Sequence, residues 1–124
     1  MARHTTGRLG SFGHAIDGLA HLLRTQRSFR VHLAVASLAV ALAAALAFSA
    51  VEWAVLVLTI ALVLATEGLN TGIEIAVTLA SPERRPEAKA AKDIAAGVVL
   101  VCAIASVVVG GLLFLPHVQR LLSP

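Results

Sequence analysis

The chain has 124 residues, of which 58% are hydrophobic, and ten lysines and arginines against seven acidic residues give a net charge of +3. This composition is too apolar for an ordinary soluble domain and is typical of a small integral membrane protein, while the length leaves room for one domain, residues 1–124. The single cysteine, Cys102, excludes an internal disulfide and indicates a buried small side chain.

The first predicted element is an amphipathic helix over residues 11–30. One face carries apolar side chains at helical spacing, namely Phe12, Ile16, Leu19 and Leu23. The other face carries a polar stripe formed by Asp17, His21, Arg24 and Ser28. Such a helix is expected to lie in the membrane surface, with its arginines near anionic lipid head groups. Gln26 continues the apolar stripe, so its side chain is expected to point toward the rest of the protein.

Three long apolar runs follow, at residues 31–48, 53–80 and 94–115, and each meets the threshold of about 18 residues for a membrane-spanning helix. The first two are joined by "SAVE", which predicts a tight helical hairpin. The second and third are joined by "SPERRPEAKAAKD", which predicts a solvated loop. The predicted fold is therefore an all-α integral membrane protein with one surface helix and three transmembrane helices.

The basic residues are distributed unevenly along this arrangement. Nine of the ten fall on one side of the predicted bundle, and only Arg120 falls on the other. Because positive charge favours the cytoplasmic side, the N-terminus and the second loop are expected in the cytoplasm and the C-terminus outside.

Polar side chains interrupt the second apolar run in "ATEGLNTGIEIA". One helical face carries Glu67, Asn70, Glu74 and Thr78, and the opposite side carries the small residues Gly68, Gly72 and Ala76. A charge at the middle of a membrane costs roughly 2.5–3.5 kcal/mol, so two carboxylates without a function would be expensive. The only role of the stripe could be to join helices through hydrogen bonds, but for the glutamates a functional role is favoured.

The two carboxylates are expected at different depths in the membrane. Helix rise places Glu74 about 10 Å and Glu67 about 20 Å from the helix end near Ser81, so Glu74 can reach cytoplasmic solutes while Glu67 lies where a lipid hydroxyl could sit. Lys92 and Asp93 begin the third span, where they could meet phosphates and a metal ion or form an interfacial ion pair; their spacing leaves both open. His32, at the mouth of the first span, is interpreted as an interface residue in preference to a substrate contact.

A rival interpretation is a proton- or ion-conducting protein, with Glu67 and Glu74 as a relay or cation site in an oligomeric pore. Against it, the third span carries no carboxylate that would face them at depth, and Lys92 and Asp93 would have no role.

The sequence also resembles a known family. "EGLNTGIE" at residues 67–74, "AKAAKDIAAGVVL" at residues 88–100 and the upstream "RTQRSFRVHL" resemble the prokaryotic diacylglycerol kinase / undecaprenol kinase family. The resemblance implies a homotrimer in the bacterial inner membrane, with active sites shared between neighbours and no nucleic-acid partner. It also implies transfer of the γ-phosphoryl group of ATP, with Mg²⁺, to the hydroxyl of diacylglycerol or undecaprenol.

The matching positions imply individual roles. Glu67 corresponds to the catalytic base and Asn70 to its motif partner, and Glu74 corresponds to a metal ligand near ATP. Nucleotide contacts are implied for Lys92, Asp93, Glu83, Arg84 and Arg85. No Walker-type sequence G-x-x-x-x-G-K-[ST] is present, so arginines, Lys92 and the metal ion would have to hold the phosphates.

Two positions depart from the family pattern. Gln26 stands where the family has a second metal-binding glutamate, and its amide oxygen could still bind Mg²⁺ without contributing charge. Thr78 stands where the family commonly has an aspartate. These departures leave open a nucleotide-binding relative with impaired catalysis.

Overall fold

The computed structural model describes residues 8–123, and all regular secondary structure in them is helical. Four helices follow one another: α1 (Arg8–Thr25), α2 (Arg27–Ala45), α3 (Ala50–Ala80) and α4 (Pro86–Leu122). The predicted domain, 1–124, extends beyond the described residues at both ends. Arg3, one of the nine basic residues assigned to the cytoplasmic side, lies outside them.

Helices α2, α3 and α4, of 19, 31 and 37 residues, are long and apolar enough to cross a membrane. The predicted all-α architecture with three candidate spans is therefore confirmed. Large apolar side chains are exposed along all three helices, as expected for surfaces that face lipid or another membrane protein.

The helix bounds differ from the predicted segments at a break between α1 and α2. We expected one helix over residues 11–30, but α1 ends at Thr25 and α2 begins at Arg27, with an extended backbone at Gln26 (φ −103°, ψ 111°). The Arg30 guanidinium donates to the carbonyl oxygens of Leu23 and Arg24 at 3.0 and 3.2 Å. These bonds satisfy carbonyl groups that the end of α1 leaves free. Residues 27–30 form the beginning of α2, the first candidate span.

The short hairpin between α2 and α3 is held by local capping. Ala47 has a positive φ of 54°, which turns the chain after α2. Ser49 then caps α3 in a reciprocal capping box with Glu52. At the other connection Pro86 occupies the first turn of α4, where its missing N–H costs no helical hydrogen bond. α4 begins earlier and ends later than the predicted span 94–115.

Packing is centred on α3, which contacts each of the other three helices and α4 most extensively. Gly68 lets α1 approach α3: a Cβ atom at this position would lie 3.2 Å from Leu22 Cδ1. At Gly72, one turn along, a Cβ would meet no atom within 4 Å. One glycine of the predicted small-residue ridge therefore packs within the chain, and the other faces open space.

An aromatic cluster closes the hairpin end of the bundle. Phe48, only 7% exposed, stacks on His117 with ring centroids 4.9 Å apart, and contacts Phe114 and Trp53 at 4.9 and 6.2 Å. His117 Nε2 lies 2.8 Å from Glu52 Oε1, so the same cluster joins the end of α4 to the beginning of α3.

We expect Phe48→Ala to lower the free energy of unfolding in detergent micelles by roughly 3 kcal/mol, because it leaves a cavity among Trp53, Phe114 and His117. Unfolding can be followed through the fluorescence of Trp53, the only tryptophan. The matched control is Phe12→Ala, since Phe12 is 70% exposed and its loss should change stability little. Equal stabilities for both variants would contradict this account of the cluster.

Candidate active site

Glu67 is a buried carboxylate on α3, with only 4% of the residue exposed. Ser28, in the first turn of α2, donates a hydrogen bond from Oγ to Glu67 Oε1. The other oxygen, Oε2, lies 3.8 Å from Nε2 of His32, one turn further along α2. Thr71 Oγ1 donates to the Glu67 carbonyl at 3.2 Å. The carboxylate is therefore held by the beginning of α2.

The positions of Ser28 and His32 depend on the break at Gln26. In a continuous helix over residues 11–30, Ser28 would have lain on the polar surface stripe, as we predicted, and that prediction is wrong. Because α2 begins at Arg27, Ser28 and His32 lie one above the other on the face of α2 toward α3. His32, interpreted from the sequence as an interface residue, approaches Glu67.

This arrangement makes the two oxygens of Glu67 different. Oε1 accepts the Ser28 hydroxyl, and a charged hydrogen bond of this kind offsets part of the penalty for removing a carboxylate from water. Oε2 has His32 as its neighbour but no hydrogen bond in the described part of the chain, so it can accept a proton. A carboxylate fixed in this way is suited to take a proton from a hydroxyl group.

A second polar group begins one turn along α3. Asn70 Nδ2 lies 3.5 Å from Glu74 Oε1, and Thr78 Oγ1 donates to the Glu74 carbonyl at 2.7 Å. Lys92 of α4 then donates from Nζ to Thr78 Oγ1 at 2.8 Å. Asn70 Oδ1 is buried and has no hydrogen-bond partner among residues 8–123, which leaves one acceptor for a bound molecule. The predicted face from Glu67 to Thr78 thus extends to α4 through Lys92.

A basic pocket lies where α3 ends and α4 begins. Its volume is about 520 Å³, and its lining includes Thr78, Glu83, Arg84, Arg85, Lys89 and Lys92. Several cationic groups around one opening are suited to bind phosphate groups. Glu83 and Arg85 form an exposed pair at 3.5 Å.

Two contacts that the suggested roles of Asp93 and Gln26 would need are not formed in the described residues. Asp93 pairs with Lys89 on the exposed side of α4, so the Lys92–Asp93 ion pair considered from the sequence is replaced by Lys89–Asp93. Gln26 lies at the break between α1 and α2, where Nε2 is 3.3 Å from Thr25 Oγ1, and it makes no hydrogen bond with Glu74 in the described chain. No cluster of three His, Cys, Asp or Glu side chains in this region is arranged to hold a metal ion.

Comparison with known proteins identifies the family. The sequence pattern of the prokaryotic diacylglycerol kinases matches residues 13–114. The chain belongs to this family. It is 42% identical over 106 residues to an undecaprenol kinase of Bacillus subtilis, covering 86% of each chain. It is 44% identical over 115 residues to a diacylglycerol kinase of Synechocystis, covering 92% of this chain and 66% of that protein.

Membership makes the protein a lipid kinase, a transferase, and favours that interpretation over the ion-conducting one. The matched range includes the residues singled out from the sequence, Glu67, Asn70, Glu74, Lys92 and Asp93. Ser28 and His32 are the contacts to Glu67 that our sequence reasoning did not find. The signal in the sequence is their spacing of one helical turn in "SFRVH", which places both side chains on one helical face. That face is directed toward Glu67 only because α2 begins before Ser28.

We expect Ser28→Ala to lower the turnover of lipid phosphorylation about tenfold or more, because one hydrogen bond to a charged group is worth roughly 1.5–3 kcal/mol. Ser28→Thr keeps the hydroxyl and should restore most of the rate. The matched control is Ser37→Ala on the same helix, where the hydroxyl bonds only to the Leu33 carbonyl. If Ser28→Ala and Ser37→Ala have the same turnover, the Ser28–Glu67 contact does not serve the reaction.

Proposed function

We propose that this protein transfers the γ-phosphoryl group of ATP to the hydroxyl of a membrane lipid. The names of the two relatives supply two acceptors, undecaprenol and diacylglycerol, and both present a hydroxyl at the end of an apolar body. The observation that carries the proposal is the buried Glu67, oriented by Ser28 and lying on the same helix as a basic pocket.

In this proposal Glu67 acts as the general base. The lipid hydroxyl gives its proton to Oε2 while its oxygen attacks the γ-phosphorus, and ADP leaves with the electrons of the broken P–O bond. Ser28 keeps Oε1 engaged, so that Oε2 is the oxygen presented to the substrate. Asn70 orients Glu74 through Nδ2 and offers its unpartnered Oδ1 to a substrate donor.

The basic pocket is the proposed site for the nucleotide phosphates. Arg84, Arg85 and Lys92 line it and supply positive charge in place of a glycine-rich phosphate loop. Glu83 lines the same opening and could accept hydrogen bonds from the nucleotide. Asp93 faces the exposed side of α4 with Lys89, so its proposed nucleotide contact requires it to leave that ion pair.

Kinases of this kind use a divalent metal ion with ATP, and we propose Mg²⁺. Glu74 is an exposed carboxylate one helical turn before Thr78, which lines the pocket, and Mg²⁺ is usually held by one or two protein carboxylates together with substrate phosphates and water. Glu74 together with ATP phosphates and water is therefore a set of oxygen donors that fits Mg²⁺. The bound ion would neutralise phosphate charge. Gln26 is the proposed second oxygen donor, from the same or a neighbouring subunit.

The proposed setting is a homotrimer in the bacterial inner membrane, with the N-terminus and the α3–α4 loop in the cytoplasm. Exposed apolar side chains on α1, including Phe12 and Ile16, support its position in the membrane surface. Exposed Arg24 and Arg27 could meet anionic head groups. The open space at Gly72 supports close approach of a helix from another subunit.

We expect Glu67→Gln to lower the turnover of lipid phosphorylation by roughly 10²–10⁴-fold, the usual contribution of a general base. The amide oxygen can still accept the Ser28 hydrogen bond, so the fold should be retained. Glu87→Gln is the matched control, since Glu87 is exposed at the start of α4. A folded Glu67→Gln protein that phosphorylates lipid at the normal rate would show that Glu67 is not the base.

We expect Lys92→Met to raise the KM for ATP about tenfold or more, because it removes a cation that would bind phosphate. The KM for the lipid should change little. Arg120→Met, at the opposite end of α4, is the charge-matched control. Steady-state kinetics with each substrate varied separately give both constants. Unchanged kcat and KM for ATP in Lys92→Met would remove Lys92 from the nucleotide site.

A further inference from the structure

A second cavity, absent from the site described so far, lies between α2, α3 and α4. It is partly open and has a volume of about 270 Å³. On α3 its lining runs from Leu56 to Leu64, just before Glu67, whereas the basic pocket begins at Val77, well after Glu67. We call this cavity the apolar crevice. Glu67 therefore lies between the apolar crevice and the basic pocket along one helix.

The apolar crevice reaches Glu67 through His32. His32 is part of its lining, and the same side chain places Nε2 3.8 Å from Glu67 Oε2. At the other end Leu56, Leu113 and Phe114 line it and also belong to the hydrophobic core that contains Phe48. The apolar crevice thus has one end at the proposed base and one end closed by packed side chains.

The chemistry of the lining selects an apolar occupant. Most of the lining is aliphatic, and the two hydroxyl groups in it are already bonded within their own helices. Thr59 donates to the Val55 carbonyl at 2.7 Å, and Ser106 donates to the Ala103 carbonyl at 2.7 Å. A polar ligand would lose its own hydrogen bonds there without replacement, whereas a hydrocarbon chain would lose none.

The dimensions of the apolar crevice fit one hydrocarbon chain. From Leu56 to Leu64 on α3, and likewise from Ser106 to Phe114 on α4, helix rise gives a length of about 12 Å. The volume of about 270 Å³ is below the range of roughly 300–1,000 Å³ usual for sites that enclose a whole ligand. Gly110 leaves the wall open, because a Cβ built there meets no atom within 4 Å.

We infer that the apolar crevice binds the hydroxyl-proximal segment of one hydrocarbon chain of the acceptor lipid, with the hydroxyl beside Glu67 and His32 at the junction. The inference rests on the proposed function, since it takes the acceptor hydroxyl to lie at Glu67. The shared ligand chemistry is a long hydrocarbon chain leading to a hydroxyl. A polyprenol provides one such chain directly, and a diacylglycerol provides two through ester groups.

Two adjacent glycines allow a matched test. Gly110 lines the apolar crevice, whereas Gly111 is exposed outside it, and a Cβ at either position meets no atom within 4 Å. Gly110→Leu should fill the crevice and raise the KM for the acceptor at least about tenfold, the effect of mismatched volume in an apolar pocket. The KM for ATP should stay unchanged, and Gly111→Leu should leave both constants unchanged.

The assay is run in separate arms with undecaprenol and with dioleoylglycerol, and a rise in either arm identifies the chain that enters. An unchanged acceptor KM in both arms, or an equal rise with Gly111→Leu, would overturn the inference. A changed oligomeric state in Gly110→Leu alone would also overturn it, because a second copy of the chain would then be the occupant.

A binding measurement without ATP separates this inference from the proposed function and does not depend on a folded variant. Wild-type protein in bilayers is photolabelled with undecaprenol or diacylglycerol analogues that carry a diazirine on the chain near the hydroxyl end. Labels on Val35, Ile60 or Val109 would support the apolar crevice as the chain site even if no lipid were phosphorylated. Phosphorylation with labels confined to residues outside the lining would overturn the inference while leaving the kinase function intact.

Discussion

The hydrogen bond from Ser28 to Glu67 is the contact on which the rest of the site depends. A carboxylate buried among apolar helices is tolerated only where a donor satisfies it, and here the donor comes from the first turn of α2. That contact is made in a chain that breaks at Gln26, where α1 has ended and α2 begins against α3. The bonds from Arg30 to the end of α1 stabilise the break. The local geometry at residues 25–30 therefore sets the orientation of a carboxylate 39 residues away from Ser28.

Along α3 the groups of the proposed site follow in the order that the proposed phosphoryl transfer to a lipid would need. The apolar crevice comes first, Glu67 follows, and Glu74 and the basic pocket lie beyond it. Thr78, which departs from the family pattern, has a defined role in this order, because its hydroxyl accepts from Lys92 and donates to the Glu74 carbonyl. A neutral hydroxyl can thus link the lysine of α4 to the helix that carries the acidic residues.

The sequence predicted the three apolar helices because the length of an apolar run is sufficient to identify a candidate span. It also predicted the polar face of α3, since helical periodicity places Glu67, Asn70, Glu74 and Thr78 together whatever surrounds them. The break at Gln26 was not predictable in the same way. Amphipathic spacing continues through residues 25–30, and only the backbone at Gln26 and the Arg30 side chain show that two helices meet there.

Contacts between helices were the hardest to predict. Lys92 and Asp93 are neighbours in sequence, but successive side chains point in different directions on a helix, so Lys92 reaches Thr78 while Asp93 pairs with Lys89. The approach of His32 to Glu67 likewise depends on how α2 packs against α3. The apolar crevice is formed by three helices, and no local pattern in any one of them reveals it.

Lipid phosphorylation itself is the most direct test of the account. Purified protein in bilayers is incubated with γ-labelled ATP and Mg²⁺, together with undecaprenol or diacylglycerol, and the extracted lipids are analysed for label. The account predicts labelled lipid phosphate with at least one acceptor, formed in proportion to the ADP released. Release of ADP without labelled lipid, or no label with either acceptor, would contradict it.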